Sequence, residues 1–444
     1  MSPLTPSQQD ISRDSALARR ELRQLAFMES YDAHSPIATA IQDSGVYATS
    51  IHLVSVQHRP GAGVTGIYRV ATGRPVVPRG HGHGAYRETS DHVDELYVGM
   101  TTEDVSDLHG ELIRSHCPYG PLTIWQHPLD PGLPGLRLAT DPKSVAAIWG
   151  EGRQLVALET VSYRPLRRAV IAAGFDDGLR LYLKVLRAGQ GEVVDARHRM
   201  LMGAGVPTAR PIREPVDDVV ALVEGPGEPL AEYFLADGGD HVDPQIFIDM
   251  MDRIPHEVMT LPARESWTDR LSAYASAAAA ALPDCASRIH SVESTIQAEL
   301  PLSERGEPVP THGDLYEANV LMLGTEISCV LDVDALGPGY RVDDLACFLG
   351  HLAVLPAVDE RYVHAPAALQ RFARVFGETV DPRGLRARSA AVALSLVAGA
   401  RDSRMGGWEE QAQNRLRCAE SLLGLIAAEH TLPQWPADTL PLSP

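Results

Sequence analysis

Lysine is almost absent from this chain of 444 residues: it occurs only at positions 143 and 184, while arginine provides the remainder of the 39 basic residues. The two residue types are not equivalent, because the lysine ammonium is a compact point charge and the arginine guanidinium is a planar fork of donors. In a chain that uses arginine almost everywhere, a lysine inside an apolar strand is a candidate for a contact that requires a compact charge.

Basic charge is scarce overall. The 39 Lys and Arg residues are outnumbered by 58 Asp and Glu residues, which gives a formal net charge of -19. Such a balance repels polyanions, so we expect neither nucleic acid nor an anionic membrane surface as a partner. The five cysteines are scattered without a Cys-x-x-Cys pair. This spacing argues against a disulfide framework and against a structural zinc site.

Long apolar runs are missing too. The N-terminal segment has no apolar core of signal-peptide length, and the sequence contains no run of about 18 uncharged apolar residues. We therefore expect a cytoplasmic protein. With 44% hydrophobic and 22% charged residues the composition is that of a globular protein, and the length predicts more than one domain.

Strand and helix patterns predict an α+β protein in three parts. Residues 1–145 are predicted to form an N-terminal α+β module, residues 146–230 a lobe of mixed strands, and residues 231–444 a mainly helical region. Within the module, the segment HPLDPGLPG at 127–135 is predicted to be a packed, irregular connection, because proline and glycine interrupt any regular element.

One of the two lysines lies in a predicted strand. In LRLYLKVLR, residues 179–187, a period of two leaves Tyr182 and Lys184 on one face and places four apolar residues on the other: Leu179, Leu181, Leu183 and Val185. Lys184 is thus the candidate for a compact buried charge. The alternative is a solvent-exposed lysine on an edge strand.

Two sets of predicted strands resemble each other. Residues 54–70 and 161–174 share an Arg-Pro pair before a turn, and the strands that follow carry Gly99 in the first set where the second carries Lys184. Either an old duplication or the chance similarity of short hairpins would produce this pattern.

A cluster of polar residues that suits phosphoryl transfer lies in THGDLYEANVLM, residues 311–322. This chemistry needs an acid that orients the attacking hydroxyl and oxygen ligands that hold Mg²⁺ against the phosphates. Asp314 is the candidate catalytic base, and Asn319, five residues later, offers an amide oxygen to the metal.

A second metal ligand is predicted directly after the next strand. Residues 327–331 are apolar and β-prone, and Asp332 follows them. Carboxylate and amide oxygens together with phosphate are the usual ligands of Mg²⁺. Asp334, two residues on, is either a further ligand or the cap of a turn.

These residues resemble the aminoglycoside phosphotransferase and choline kinase group of the protein-kinase-like superfamily. The resemblance is specific over residues 308–350, looser over 150–235, and does not extend to the first 145 residues. It is carried by His312-Gly313-Asp314, Asn319, Asp332 and Asp344-Leu345-Ala346. Gly313 stands where protein kinases usually have arginine, which points to a small-molecule kinase rather than a protein kinase.

The resemblance implies a bilobal fold with ATP between the lobes and further site residues. Lys184 would hold the ATP phosphates, with Asp195 or Glu192 as its acidic partner. Asp344 would brace the catalytic loop. The remaining implied contacts are backbone groups of Val223, Glu224 and Gly225 at the adenine, and a phosphate-covering loop in SYRPLRR, residues 162–168, with Arg167 or Arg168 facing phosphate.

The resemblance implies an ATP-dependent phosphotransferase with a hydroxyl acceptor. Maltokinase-type and glucosamine-kinase-type members also carry an additional N-terminal module, which favours a sugar or amino sugar. An aminoglycoside antibiotic is the alternative acceptor. A non-catalytic nucleotide-binding regulator is the alternative of another class, and the intact Lys184, Asp314, Asn319 and Asp332 argue against it. The oligomeric state is left open.

Overall fold

The computed structural model describes residues 8–42, 46–59, 61–73, 94–108, 110–402, 407–426 and 433–436. The chain forms two compact units. The first comprises residues 1–191 and 215–221, and the second comprises residues 192–214 and 222–444.

The elements of the first unit are, in chain order, α1 (Gln8–Glu29), α2 (His34–Gln42), β1 (Tyr47–Arg59), β2 (Gly63–Gly73), β3 (Asp94–Thr101), β4 (Ile113–Cys117), β5 (Gly120–Gln126), α3 (Leu136–Thr140), α4 (Pro142–Trp149), β6 (Leu155–Arg164), β7 (Arg168–Phe175) and β8 (Arg180–Val185). We refer to the described residues before β6 as the N-terminal module.

The N-terminal module is built on a five-stranded sheet. Its strand order is β1-β2-β3-β5-β4, and each neighbouring pair is antiparallel. Met28 of α1 and Ile37 of α2 belong to one buried apolar cluster with Tyr68 and Met100 of the sheet. The buried Tyr68 hydroxyl donates to the Met28 carbonyl oxygen at 2.7 Å, so the core leaves this polar group satisfied.

A second sheet follows, with strand order β6-β7-β8-β9, where β9 is Val219–Val223. The alternation predicted for β8 is confirmed, because Leu181 and Leu183 are fully buried. Lys184 is only 7% exposed, and its strand lies between two others. The alternative of a solvent-exposed lysine on an edge strand is therefore wrong.

The two sheets share one motif. β1-β2-β3 and β6-β7-β8 are both antiparallel meanders in which consecutive strands pair. Gly99 lies on β3 against the Trp125 indole, whereas Lys184 lies on β8. Both interpretations, an old duplication and the chance similarity of short hairpins, fit this arrangement.

The second unit is mainly helical. Its elements are α5 (Gly191–Gly203), β10 (Glu228–Pro229), α6 (Leu230–Asp237), α7 (Gln245–Asp252), α8 (Leu271–Ala281), α9 (Ala286–Glu299), β11 (Pro308–Thr311), β12 (Val320–Leu323), β13 (Glu326–Val330), β14 (Gly337–Tyr340), α10 (Arg341–Val358), α11 (Ala365–Gly377), α12 (Pro382–Ser395) and α13 (Trp408–Leu423).

The core of this unit surrounds α10, most of whose residues are buried. Phe348 of α10 stacks on Phe372 of α11 with ring centroids 5.1 Å apart. Phe234 and Phe376 contact the Phe348 ring in edge-to-face geometry. Offset and edge-to-face contacts are the arrangements that aromatic rings prefer. They fix the helix that carries Asp343, Asp344 and Cys347.

The predicted α+β class is confirmed: an N-terminal α+β module and a four-stranded sheet precede a mainly helical region. Within the described part of the chain, the structure contains no helix that is long and apolar enough to span a membrane.

Candidate active site

The HGD motif lies in a loop after β11 that is held from below by α10. Both oxygens of Asp344 accept hydrogen bonds at 2.7 Å, one from the backbone N–H of His312 and one from that of Gly313. Asp344 is buried, and burial raises its pKa to about 7 against the opposing effect of the two donors. The bracing role implied for Asp344 agrees with this geometry.

Gly313 is required by the shape of the loop. Its φ is +79°, and an added Cβ would lie 2.5 Å from the Ala335 carbonyl oxygen. A residue with a side chain would therefore have to displace backbone at the point that positions the next residue, Asp314.

The imidazole of His312 links the loop to the strand behind it. Its Nδ1 accepts from the Asp314 backbone N–H at 3.3 Å, and its Nε2 lies 2.9 Å from the Leu331 carbonyl oxygen. These partners fit the neutral ring with the proton on Nε2. The His312 side chain therefore joins the backbone of Asp314 to that of Leu331 and fixes the distance between them.

Asn319 is oriented by the same loop. Its Nδ2 donates to the Asp314 carbonyl oxygen at 2.9 Å, which leaves the side-chain oxygen as the atom available to a cation. The backbone carbonyl of Asn319 accepts from the N–H of Leu331 at 2.8 Å, so the chain just before Asp332 is joined to Asn319.

Asp332 has a left-handed backbone conformation with φ +51°. This conformation is uncommon for a residue other than glycine and is found preferentially at functional sites. Burial, and then the charges of Asp314, Glu317 and Asp332, raise the pKa of the Tyr316 hydroxyl.

The predicted nucleotide contacts are distributed over both units. Lys184 lies in the first unit and Asp195 in the second. Asp195 is buried and forms an ion pair with Arg199 (2.6 Å between Oδ2 and Nε), whereas Glu192 is exposed near the start of α5. The assignment of either acid as the partner of Lys184 stays a prediction.

The predicted adenine-binding segment follows β9. The backbone N–H of Val223 donates to the Arg210 carbonyl at 2.9 Å and is thus already used. Gly225 lies against Cys329 of β13. The role of the backbone of Val223, Glu224 and Gly225 in binding adenine stays a prediction. Since the N–H of Val223 is already used, a backbone N–H donor to adenine would have to come from Glu224 or Gly225.

A cavity of about 570 Å³ opens over the catalytic loop within the second unit. Gly313, Asp314 and Asp344 line its floor, and aromatic side chains line it as well. Sequence reasoning did not identify these walls, which come from three separate segments: Arg264, Glu265, Trp267, Asp269, Arg270 and Tyr274; Arg305; and Pro338, Tyr340 and Asp343.

Arg305 organises the charges of this cavity. It contacts Asp269 at 3.2 Å and Asp343 at 2.8 Å, and its guanidinium lies 4.0 Å from the centre of the Tyr340 ring. Asp343 is also paired with Arg388 at 3.1 Å. Two of the acids in the cavity wall are therefore already neutralised by arginine.

Asp314 is half-buried and contacts a thiol of α10. The Cys347 sulfur lies 3.9 Å from its Oδ1, within reach of a weak S–H hydrogen bond. Burial, together with the charges of Asp314 and Asp344, raises the pKa of Cys347, so this thiol remains a protonated donor. His351, one turn along α10, stacks on Tyr316 with centroids 4.0 Å apart.

Comparison with known protein families gives one match to the sequence. The sequence profile of the phosphotransferase enzyme family (APH) matches residues 203–376, which include the catalytic loop, Asn319 and Asp332. The resemblance stated from the motifs and the predicted enzyme class, a phosphotransferase with a hydroxyl acceptor, are thereby confirmed. No curated protein sequence is significantly similar to the chain.

Several solved structures are similar to the chain at low identity. One is the macrolide 2′-phosphotransferase MphH from Brachybacterium faecium, with 19% identity, a TM-score of 0.36, and coverage of 61% of this chain and 95% of that one. Another is a thermostable mutant of aminoglycoside phosphotransferase APH(4)-Ia with ADP and hygromycin B, with 14% identity, a TM-score of 0.45, and coverage of 63% of this chain and 97% of that one. A choline/ethanolamine kinase family protein from Mesorhizobium loti has 17% identity, a TM-score of 0.43, and coverage of 64% of this chain and 93% of that one.

Proposed function

We propose that this chain, whose residues 203–376 match the phosphotransferase enzyme family, transfers the γ-phosphoryl group of ATP to a hydroxyl of a neutral sugar or an amino sugar. The observation that carries the proposal is the position of Asp314 on the floor of a cavity large enough for such an acceptor.

Asp314 would act on the acceptor hydroxyl. A carboxylate at this position accepts or orients the hydroxyl proton while the oxygen attacks the γ-phosphorus. The braced loop holds the carboxylate in one place, since Asp344 and His312 fix the backbone on either side of Gly313. Fixed positions of this kind make the attack effectively unimolecular.

The donor set fits Mg²⁺. The side-chain oxygen of Asn319 and the carboxylate of Asp332 are hard oxygen ligands, and the Asn319 amide is already turned so that its oxygen is available. Mg²⁺ bound there would neutralise charge on the ATP phosphates. From the family resemblance, Lys184 would hold the phosphates of the same ATP.

The walls of the cavity favour a sugar over a polycation. Trp267 lines the cavity together with Tyr274 and Tyr340, each of which has an arginine over one face of its ring. Their remaining aromatic surface and polar edges suit the apolar faces and hydroxyl groups of a pyranose. An aminoglycoside would need free acids for its ammonium groups, but Asp269 and Asp343 are already paired with arginine.

An amino sugar is compatible with the same walls. Glu265 lines the cavity and is exposed, so it offers one carboxylate to one ammonium group. We therefore propose an acceptor with at most one positive charge.

The test is ATP turnover with glucose, maltose, glucosamine and an aminoglycoside as acceptors. We expect turnover with a neutral sugar or with glucosamine, and we expect Asp314→Asn to lower kcat at least 1,000-fold, in the range seen for loss of a catalytic base. The matched control is Asp284→Asn, the same substitution at an exposed residue outside the cavity.

Three results would contradict the proposal. Full turnover by Asp314→Asn would remove the catalytic assignment. Tight binding of Mg-ATP without turnover of any acceptor would favour the non-catalytic regulator, and turnover of the aminoglycoside alone would favour antibiotic inactivation.

A further inference from the structure

The turn between β6 and β7 has an unusual conformation. We call residues 164–168 the hairpin tip, and its sequence is Arg-Pro-Leu-Arg-Arg. Leu166, at its centre, has a left-handed backbone with φ +62° and is only 2% exposed. A tip at the end of a hairpin is normally solvated and uses glycine in this conformation. Something must therefore hold Leu166 in place.

Asp130 of the N-terminal module holds the backbone of the tip. Its Oδ2 accepts from the Leu166 N–H at 2.9 Å and from the Tyr163 hydroxyl at 2.7 Å, and its Oδ1 accepts from the Gly132 N–H at 2.8 Å. Asp130 is only 4% exposed. A buried carboxylate with three donors is a rigid anchor, because loss of any donor leaves polar atoms unsatisfied.

The module also encloses the tip by packing. An added Cβ on Gly132 would lie 2.8 Å from the Leu166 Cα, so the two backbones are in direct contact. The Leu166 side chain belongs to a buried cluster with Ile67, Val105 and Trp125, all from the module.

A charged contact fixes the next residue. Nη2 of Arg167 lies 2.7 Å from Oε2 of Glu103, an acid that also contacts Arg59 at 3.1 Å. The prediction that Arg167 faces phosphate therefore does not agree with the structure, where the module holds this side chain. From the other side, Nε of Arg187 donates to the Leu166 carbonyl at 2.8 Å.

We propose that Asp130 is a positioning residue for ATP: through the hairpin tip, the N-terminal module presets the cover over the phosphates that Lys184 would hold. The inference rests on the proposed function, and it concerns elements of the first unit only. Because the tip contains no glycine, its conformation is set by the contacts with the N-terminal module and not by local backbone flexibility. Presetting a binding loop improves affinity because less ordering is required when the ligand binds.

The first variant is Asp130→Asn, which keeps the size of the side chain. An amide has one acceptor oxygen, so its NH₂ group must face the backbone N–H of either Leu166 or Gly132. We expect the KM for ATP to rise about tenfold, while the KM for the acceptor stays within twofold. Hydrogen exchange of the tip should accelerate in the same variant.

The matched control is Asp177→Asn in the neighbouring turn between β7 and β8. That carboxylate likewise accepts from a backbone N–H, of Leu179, and pairs with Arg153. It should leave the KM for ATP unchanged. Tyr163→Phe is the milder variant, which removes one donor to Asp130 and is expected to raise the KM for ATP about threefold.

The outcomes separate this inference from the proposed function. An unchanged KM for ATP in Asp130→Asn, together with faster hydrogen exchange of the tip, would overturn the positioning role of Asp130. If that variant does not fold, an unchanged KM for ATP in Tyr163→Phe would overturn the same role. If the wild type turns over no acceptor, the proposed function fails, and the affinity for a hydrolysis-resistant ATP analogue then decides: equal affinity in wild type and variants overturns the positioning role.

Discussion

The brace under the catalytic loop permits a graded prediction. Asp344→Ala removes both acceptors, so the backbone N–H of His312 loses its partner in a buried place and that of Gly313 loses its partner at an exposed residue. An unsatisfied buried N–H costs about 1–3 kcal/mol and an exposed one less, which gives about 3 kcal/mol for the pair. Asp344→Asn keeps one oxygen and should cost about half as much.

These costs translate into measurable shifts. For a unit of roughly 250 residues, each kcal/mol lowers the thermal unfolding midpoint by about 2–4 °C. We therefore expect a loss of about 10 °C for Asp344→Ala and about 5 °C for Asp344→Asn. Because the loop carries Asp314, a displacement of about 1 Å would also lower kcat about 100-fold.

Differential scanning fluorimetry and steady-state kinetics test both effects. Asp359→Asn, which alters a partly exposed residue directly after the same helix, is the control and should change neither quantity. The reasoning would be refuted if Asp344→Ala kept the wild-type midpoint and kcat, or if Asn were more damaging than Ala.

Three further predictions concern the surroundings of the loop. Burial raises the pKa of Glu317 from 4.5 to about 7, so the stability that its neutral form contributes is complete below pH 4.5 and is lost as the pH rises through 7. Glu317→Gln should stabilise the protein by about 3 kcal/mol at pH 8.5 and by nothing at pH 4, measured by urea unfolding; a pH-independent difference would contradict this. Cys347→Ala removes the thiol next to the Asp314 carboxylate and should lower kcat about fivefold at constant KM for ATP. Cys347→Ser keeps a donor and should restore kcat. Equal kcat values in the two variants would argue against a hydrogen bond from Cys347 to Asp314. Arg305→Met leaves Asp269 and Asp343 with less positive charge, so kcat/KM should shift about tenfold towards amino sugars over neutral sugars, and an unchanged ratio would remove Arg305 as a determinant of specificity.

The N-terminal module and the sheet that carries Lys184 form one compact unit. Contacts with the hairpin tip hold the two parts together. Asp130 accepts a hydrogen bond from the tip backbone, Glu103 pairs with Arg167, and apolar residues of the module pack against Leu166. A role of the module in nucleotide binding is therefore a more direct expectation than a role at the acceptor.

Local sequence determined the parts of this protein that depend on short-range geometry. The loop that carries Asp314 was predictable from motif spacing, because Asp314, Asn319 and the acid after the next strand lie close together in the sequence, whereas the bracing role of Asp344 followed from the family resemblance. The period of two in β8 placed Lys184 on the face opposite the leucines, but its burial depends on what packs against that face.

Only the tertiary structure decided the composition of the cavity and the state of the hairpin tip. Arg305 meets Asp269 and Asp343 across 36 and 38 residues of chain, and Glu103 meets Arg167 across 64. No periodicity or motif spacing encodes such pairs, because each depends on how separate elements pack. For the same reason Arg167, one of the two arginines predicted at phosphate, is instead held by Glu103, an acid just after β3 of the N-terminal module.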